Sequence, residues 1–312
     1  MTGDQTWPVE TPARPTIRRA SAADMDAVDA AFRRALGRGD MAGSSDPQGT
    51  FMMDVIRLQP HETAVATVAD ELVGLVQPEF KALVVEPAWR RRGIARALVA
   101  EAVAIERERG RPNVLMGPPP GDAGALAFLR ATGFQLHSTV WDMRLAPDAA
   151  AAAPRWPDGI VARAFDRTRD VAPFVELSNL AFAEHPTPLV LSVAAVEASL
   201  LDDRYADADT LVLEAPDGSL VGFCLTAPDR VGGAIIAAEI AEIGVAPGRR
   251  GEGLGRALLA WGVEHLRSLG ATAVTLAVNG RNEGALRLYE REGFTRVLAR
   301  ERWALPVEPG AA

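Results

Sequence analysis

The chain contains one sequence pattern twice, at a constant offset of 160 positions. The first copy runs from Pro87 to Ala95 and the second from Pro247 to Gly255, and both match P-x-x-R-x-x-G-x-[AG]. The same offset aligns further residues without a gap over roughly fifty positions, among them Ala97-Leu98 with Ala257-Leu258, Gly110 with Gly270, and Gly133-Phe134 with Gly293-Phe294. Self-similarity of this extent predicts that the chain folds as two copies of one unit.

Hydrophobic periodicity predicts the same order of elements in both copies. Each has a first strand, two helices, a hairpin, a strand that leads into the shared pattern, a long helix, another strand, a short helix and a closing strand. In the second copy, the second hairpin strand is predicted over residues 220–226 and the strand before the shared pattern over residues 240–245. Antiparallel strands followed by strands that alternate with helices predict a mixed sheet of the α/β class.

A run of five alanines flanked by prolines lies within residues 147–157 and predicts a linker. We therefore predict an N-terminal domain over residues 1–146 and a C-terminal domain over residues 158–312. A chain of 312 residues, of which 48% are hydrophobic, is long and apolar enough to fill two cores.

Composition narrows the possible partners and location. A formal net charge of −8 argues against nucleic acid, whose binding needs a basic surface, and suits a cationic small substrate. A single cysteine, Cys224, cannot form an internal disulfide or a cysteine-based zinc site, so we expect no metal. The sequence shows neither a signal-peptide pattern at its start nor a long uncharged apolar stretch. We expect a cytoplasmic protein without a membrane partner, as a monomer or a homodimer.

Gly251, Gly253 and Gly255 lie between an apolar strand and a long amphipathic helix. The first N–H groups of such a helix, and the positive end of its dipole, point toward the loop that precedes it. Glycines leave room for a phosphate to reach those amides. Positive charge is added by three neighbouring arginines, Arg249, Arg250 and Arg256. The stretch predicts a pyrophosphate site.

Two common glycine-rich phosphate loops do not fit this stretch, because it lacks the lysine of GxxxxGK[ST] and the glycine order of GxGxxG. Arg250-x-x-Gly253-x-Gly255 instead resembles the acetyl-CoA loop of the GCN5-related N-acetyltransferases (GNAT), whose pattern is [RQ]-x-x-G-x-[GA]. The element order also resembles that family over nearly the whole chain. The resemblance implies two tandem GNAT-type domains, each a mixed, mostly antiparallel sheet flanked by helices, and acetyl-CoA as the acetyl donor.

The resemblance also implies which residues hold coenzyme A, namely the strand end, the loop and the helix start of each copy, with asparagines beside the pantetheine arm. These residues are Val245, Arg250, Gly251, Gly253, Leu254, Gly255, Arg256, Asn279 and Asn282 in the second copy, and Val85, Arg90, Gly93 and Ala95 in the first. The two asparagines also fit a turn or a helix cap, and for Asn282 capping and binding are compatible.

Acetyl transfer to an amine needs a base for the amine and an acid for the departing thiolate. Glu239 and Glu242 interrupt the apolar strand before the loop. A separation of three places them on opposite faces of a regular strand, so only one faces the acetyl group unless a bulge intervenes. The resemblance favours Glu239 as the base; the alternatives are Glu242, or a solvent-facing position for either residue.

The text around Tyr289 resembles the family segment whose tyrosine protonates the coenzyme A thiolate, although core packing also explains a tyrosine there. His185 follows the first helix of the second copy, where family members bind substrate, but a histidine before a proline is also a common loop residue. We therefore predict an N-acetyltransferase that moves an acetyl group to a primary amine of a small molecule by direct attack.

Two alternatives stay open. The two-copy layout and the text AFAxHP before Thr187 resemble tandem family members that acetylate a cysteinyl pseudo-disaccharide, although the glycine and tryptophan expected after His185 are missing. A non-catalytic regulator that binds acyl-CoA is the alternative from another class.

The first copy is expected to be catalytically degenerate. Leu129 occupies the position of Tyr289, and leucine cannot donate a proton. Pro119 and Asp122 replace the two asparagines, whereas Glu79 matches Glu239. We therefore expect residues 155–312 alone to keep transferase activity and residues 1–146 alone to have none.

Overall fold

The computed structural model describes residues 14–41, 50–149, 153–184, 190–199, 206–231 and 234–308. The first repeat contains the predicted elements in the predicted order. They are β1 (Thr16–Arg19), α1 (Met25–Gly37), α2 (Thr50–Leu58), β2 (Ala64–Val68), β3 (Glu71–Gln77), β4 (Ala82–Val85), α3 (Ile94–Glu108), β5 (Asn113–Met116), α4 (Ala123–Ala131) and β6 (Gln135–Leu145).

The second repeat has the same order of elements. They are β7 (Val161–Ala164), α5 (Val171–Ala181), α6 (Val193–Ser199), β8 (Thr210–Glu214), β9 (Leu220–Val231), β10 (Ala234–Val245), α7 (Leu254–Ser268), β11 (Val274–Asn279), α8 (Glu283–Arg291) and β12 (Phe294–Pro306). The prediction of an internal duplication is therefore confirmed at the level of the elements.

The helices are amphipathic, with apolar residues every three or four positions along the face that contacts a sheet. In α7 this face includes Leu254, Leu258 and Leu266, each at most 1% exposed. None of the helices in the described part of the chain combines the length and the apolar character that a bilayer crossing requires.

Within the described residues the strands form two sheets. One has four strands in the order β1-β2-β3-β4, and the other has eight in the order β5-β12-β6-β11-β10-β9-β8-β7. Strands β10 and β11 pair in parallel, whereas the pairs on either side of them are antiparallel. Mixed, mostly antiparallel sheets flanked by helices are the predicted fold class.

The closing strands of the two repeats are exchanged. β6 ends the first repeat but pairs with β11 of the second, and β12 ends the second repeat but pairs with β5 of the first. The two closing strands also pair with each other, in register at Glu301 and Thr139. The domain boundaries at residues 146 and 158 stay a prediction. The eight-stranded sheet contains strands from both sides of these boundaries.

The exchange also carries side chains of each repeat into the core of the other. Trp303 of β12 is 6% exposed and joins the cluster that contains Leu98 of α3. Met143 and Leu145 of β6 are at most 1% exposed and join the cluster around Leu258 of α7. Because burial of apolar surface is the main stabilising contribution to folding, each repeat depends on the other for part of its core.

The hairpin of β9 and β10 is longer than predicted. The sequence predicted that the first of these strands ends at residue 226 and that the second begins at residue 240. In the structure the pairing continues through Pro228, opposite Ala238, and each strand has 12 residues. In the first repeat β3 has 7 residues and β4 has 4, so the second repeat has the longer strand wall beside its loop.

Candidate active site

The glycine-rich loop of the second repeat joins β10 to α7 and borders open space. Gly251 and Gly253 have left-handed φ angles of 88° and 85°, which residues with a side chain rarely adopt. In the described part of the chain, no atom lies within 4 Å of the position that a Cβ would take on either glycine. The first bond inside α7 runs from the N–H of Ala257 to the carbonyl of Gly253 at 3.1 Å, so the amides before it remain open to an anion.

Two further predicted loop residues hold the loop against the strand. Leu254 is 1% exposed and belongs to the core, so it anchors the start of α7. The Cβ position of Gly255 lies 3.9 Å from Cγ2 of Val245, the last residue of β10. Helix and strand therefore meet closely at the end of the loop.

The three arginines predicted beside the loop all have protein partners in the structure. They pair as Arg249 with Glu252 at 2.8 Å, Arg256 with Glu292 at 2.7 Å, and Arg250 with Glu184 at 3.2 Å and with the carbonyl of Ala181 at 2.8 Å. Exposed ion pairs of this kind contribute little stability. A phosphate can therefore replace the carboxylates at little cost in free energy.

The loop of the first repeat has the same backbone path. Gly93 begins α3 with φ 82° and ψ −6°, and Gly253 begins α7 with φ 85° and ψ −4°. Arg91 has a φ of 64°, although Gly251 supplies the corresponding left-handed position in the second repeat. A non-glycine residue in this region costs about 1–2 kcal/mol, so the first loop keeps its shape against local strain.

The other predicted residues of the first loop lie together. Arg90 donates from Nε to the carbonyl of Val85 at 3.0 Å and from Nη2 to Asp40 at 2.7 Å. Gly93 and Ala95 line a cavity of about 960 Å³ that opens between β4 and β5. The first repeat therefore retains a loop of the predicted shape beside a cavity.

A β-bulge in β10 places Glu239 and Glu242 on the same face of the sheet. Glu239 pairs with Ala227 of β9 and Glu242 with Leu225, so three steps along β10 correspond to two along β9. Ala241 is the extra residue. Side chains alternate between the two faces along β9, so Phe223 lies on the same face as Leu225 and Ala227. The ring of Phe223 lies 4.7 Å from the ring of Phe174 of α5. Both carboxylates therefore face the side of the sheet that α5 covers.

Both carboxyl groups are half-buried, and burial raises the pKa of each. The pKa of Glu242 rises to about 7 through burial, and its Oε2 is buried without a hydrogen-bond partner among the described residues. The pKa of Glu239 also rises to about 7, because burial outweighs the opposing charge of Arg300, while Asp142 adds to the rise. A carboxyl group with a pKa near neutral is suited to accept a proton from an amine.

The groups that tune Glu239 come from the exchanged strands. Arg300 of β12 is 7% exposed and forms an ion pair with Asp142 of β6. Neither Arg300 nor Asp142 was predicted from the sequence as a site residue. A signal was present, because Arg300 and Arg302 alternate with Glu301 along the closing strand and so share one face of it.

The strands β10 and β11 diverge directly beside the two carboxylates. Their pairing in the described residues consists of Glu239 with Thr275 and Ile240 with Leu276, and it ends there. From Ala241 onward, β10 runs to the glycine-rich loop with an open edge toward β11. An extended chain with amide groups can pair with such an open edge.

Tyr289 lies on α8 and packs into the core of the second repeat. Its ring is 6.1 Å from the ring of Phe294, and the side chain is half-buried. Burial raises the pKa of the Tyr289 hydroxyl, so this group stays protonated at neutral pH. The structure is thus compatible both with a proton donor and with core packing.

The two predicted asparagines have structural partners. Asn282 caps α8, because its Oδ1 accepts from the N–H of Ala285 at 3.1 Å. Asn279 ends β11, is 4% exposed, and its Nδ2 lies 3.3 Å from Oγ of Ser138 on β6. Asn279 also lines the cavity of the first repeat. His185 lies outside the described residues.

Glu79, which the repeat aligns with Glu239, has a different environment. Its carboxylate forms an ion pair with Arg109 and lies 3.5 Å from Arg111. Both arginines lie just after the end of α3. Because they bind the carboxylate of Glu79, this group is not available as a base. Among the described residues no cluster of three His, Cys, Asp or Glu side chains forms a candidate metal site.

Comparison with known proteins gives the family. The model of the acetyltransferase (GNAT) family matches residues 44–134 and 175–294. A mycothiol acetyltransferase of Sanguibacter keddieii is 33% identical over 308 residues, which covers 93% of this chain and 96% of that protein. A mycothiol acetyltransferase of Thermomonospora curvata is 36% identical over 217 residues and covers 69% of each chain.

Solved structures with the same fold include a protein described as tandem. A tandem GNAT protein from the clavulanic acid biosynthesis pathway matches with a TM-score of 0.64 at 21% identity and covers 96% of this chain and 100% of that one. A GCN5-related N-acetyltransferase from Sphaerobacter thermophilus matches with a TM-score of 0.60 at 22% identity and covers 96% and 98%. At these identities the similarity supports the fold alone.

Proposed function

This chain belongs to the acetyltransferase (GNAT) family and is an acyltransferase, and on that premise we propose that it moves an acetyl group from acetyl-CoA to a primary amine of a small molecule. The observation that carries the proposal is the bulge at Ala241. It turns Glu239 and Glu242 to one face at the point where β10 and β11 diverge. Two carboxylates at this point favour an enzyme over a non-catalytic regulator that binds acyl-CoA.

The residues of the second loop fit coenzyme A. Gly251 and Gly253 leave space where side chains would stand, and the first turn of α7 presents open amides. We assign the pyrophosphate to these groups, with Arg250 and Arg256 beside it, and the pantetheine arm to the open edge of β10 near Val245 and Asn279. The bound thioester supplies the activated acetyl group.

The two acidic residues and Tyr289 divide the proton transfers. We assign Glu239 as the base that takes a proton from the amine. Its pKa depends on burial and on two nearby charges, because Arg300 lowers this pKa and Asp142 raises it. Glu242 is the second candidate for this role. Tyr289 keeps its proton at neutral pH and is assigned to donate it to the departing sulfur. The amine attacks directly, without a covalent intermediate on the protein.

A more specific substrate is favoured by the comparisons. Similarity to mycothiol acetyltransferases extends over 93% of this chain in one relative, so the cysteinyl amine of a mycothiol precursor is the second candidate function. The sequence after His185 lacks the glycine and tryptophan that this candidate function predicts there. Glu242 and His185 are the residues that we expect to contact the amine.

The two repeats divide the work in this proposal. The second repeat catalyses the transfer, whereas Leu129 and the ion-paired Glu79 leave the first repeat without an acid and a base. Val85, Arg90, Gly93 and Ala95 still offer the first repeat a binding loop for coenzyme A.

The experiment is a turnover assay with the purified chain, acetyl-CoA and a panel of primary amines that includes the cysteinyl pseudo-disaccharide. Release of free thiol in the presence of an amine, together with the acetylated amine in the mass spectrum, supports the proposal. Thiol release at the background rate with every amine would contradict it. A preference of at least ~100-fold in kcat/KM for the pseudo-disaccharide would establish the second candidate.

A further inference from the structure

Lys81 is the single lysine of the chain, and it lines the first-repeat cavity. The repeat offset aligns it with Ala241, the bulged residue between the two glutamates of the second repeat. Its φ of 57° is left-handed, which is uncommon for a residue with a long side chain. The backbone thus holds a lysine, in a strained conformation, where the second repeat has its reaction centre.

Lys81 lies at the point where β4 and β5 diverge. The N–H of Gly117, at the end of β5, donates to the carbonyl of Lys81 at 3.0 Å, just before β4 begins at Ala82. Beyond this bond the strands separate around the cavity, whose other end is bordered by Gly93 and Arg90 of the loop. A ligand with its phosphates at the loop and its arm between the strands ends at Lys81.

The amine of Lys81 has charged neighbours but no bound partner. It forms no hydrogen bond or ion pair within the described part of the chain, because Glu79 is held by Arg109 and Arg111. Arg302 of β12 also lines the cavity. Burial lowers the pKa of Lys81 to about 8, with Glu79 opposing the shift and Arg302 adding to it; Arg111 and Glu106 contribute less.

We propose that Lys81 is an acyl acceptor: a thioester bound in the first-repeat cavity transfers its acyl group to the Lys81 amine and leaves an amide on the protein. The proposal rests on the proposed function, because acetyl-CoA is the donor. The neutral Nζ attacks the thioester carbonyl, the N–C bond forms and the C–S bond breaks. The amine loses one proton, and coenzyme A leaves as the thiol. No oxidant or further reactant is needed.

The test uses the full chain with isotopically labelled acetyl-CoA and no amine substrate. Peptide mass spectrometry measures acetyl groups on Lys81 over time, and the same chain unfolded in urea supplies the rate of uncatalysed chemistry. We expect Lys81 to be acetylated at least ~10-fold faster in the folded chain, because the cavity positions donor and acceptor. The rate should rise with pH and level off above about 8. Equal rates in the folded and the unfolded chain would overturn the proposal.

Matched variants identify the source of the acyl group. Lys81→Arg keeps the charge, should take up no label there, and should leave amine turnover by the second repeat unchanged. Gly93→Val should slow labelling of Lys81, and Gly253→Val should not. The reverse pattern means that the donor binds in the second repeat and overturns the assignment. Missing label with normal amine turnover refutes the Lys81 proposal alone, whereas absence of both acetyl-CoA binding and turnover refutes the proposed function as well.

Discussion

Arg300 forms an ion pair with Asp142 although 158 positions separate them in the chain. The pair joins β12 of the second repeat to β6 of the first, two neighbouring strands of the eight-stranded sheet. Arg300 also lines the first-repeat cavity, and its charge opposes the rise in the pKa of Glu239. One side chain therefore faces the proposed base of one repeat and the cavity of the other.

This pair provides a way to identify the base. If Glu239 is the base, Arg300→Met should move the acidic limb of the kcat/KM profile to higher pH, because the charge that lowers its pKa is removed. Asp142→Asn should move the limb to lower pH. We expect shifts of roughly 0.5–1 unit in each direction. Arg300→Lys is the control, since it keeps the charge. A limb that stays in place in both variants would assign the role to Glu242, whose pKa depends on burial alone.

Removal of the acid or the base should affect turnover and spare binding. Glu239→Gln and Tyr289→Phe are each expected to lower kcat by ~10²- to 10⁴-fold with little change in the affinity for acetyl-CoA. Steady-state kinetics and a direct binding measurement separate the two effects. Full activity of Glu239→Gln together with loss in Glu242→Gln would exchange the two glutamates. Full activity of Tyr289→Phe would leave Tyr289 as a core residue.

The loop prediction concerns coenzyme A affinity. Gly253→Val places a β-branched side chain at a φ of 85°, beside the open amides of α7, and should weaken acetyl-CoA binding by at least ~10-fold. Gly218→Val is the matched control, because Gly218 has a φ of 83° and equally open surroundings but lies in the turn between β8 and β9. Calorimetric titration gives the affinity, and thermal unfolding shows that both variants fold. Equal affinities in the two variants would remove the loop from the binding site.

Stability should depend on pH through the two half-buried glutamates, Glu239 and Glu242. Each has a pKa of about 7 in the folded chain against 4.5 in the unfolded chain, so the unfolded state releases protons first as the pH rises. The free energy of unfolding should therefore fall between pH 4.5 and 7, by up to about 3 kcal/mol per carboxyl group, and stay level above. In the double variant Glu239→Gln, Glu242→Gln the fall should become shallower by the contribution of these two groups, while Glu106, whose pKa burial also raises, keeps its own contribution. Parallel pH curves for the two proteins, measured by denaturant unfolding, would show that neither carboxyl is shifted.

The strand exchange changes what is expected of fragments. The sequence favours independent activity for residues 155–312, but such a piece lacks β6, which lies between β11 and β12. We now expect it to be unstable and inactive alone, and to regain activity when mixed with residues 1–149. The control is the intact chain cleaved within residues 147–157 after folding, which should stay assembled and active. Normal activity of the isolated fragment would mean that β12 closes the sheet without β6.

The sequence predicted the order of elements because the repeat offset supplied two independent copies of each pattern. It did not predict which repeat each closing strand completes. β6 and β12 follow equivalent helices at equivalent places in the two repeats, so the local pattern cannot distinguish a strand that folds back from one that is exchanged. That choice depends on contacts between residues far apart in the chain.

The candidate site was predictable where backbone conformation is encoded by glycine, as at Gly251 and Gly253. The sequence did not predict whether Glu239 and Glu242 lie on the same face of the sheet. The alternation of side chains along a strand cannot show where a bulge inserts an extra residue. The sequence also did not predict the partners of two loop arginines. Arg250 pairs with Glu184 and Arg256 with Glu292, and only tertiary structure brings these side chains together.

The exchanged strands also have a consequence for synthesis on the ribosome. β5 is made early, but its neighbour β12 is made after all the other strands of the described residues, so the first repeat emerges with an open strand edge and without Trp303 in its core. It cannot reach its final packing until β12 has been translated. A nascent chain of this kind must keep that edge from pairing with other molecules in the meantime, which makes premature termination more harmful than the loss of the second repeat alone would be.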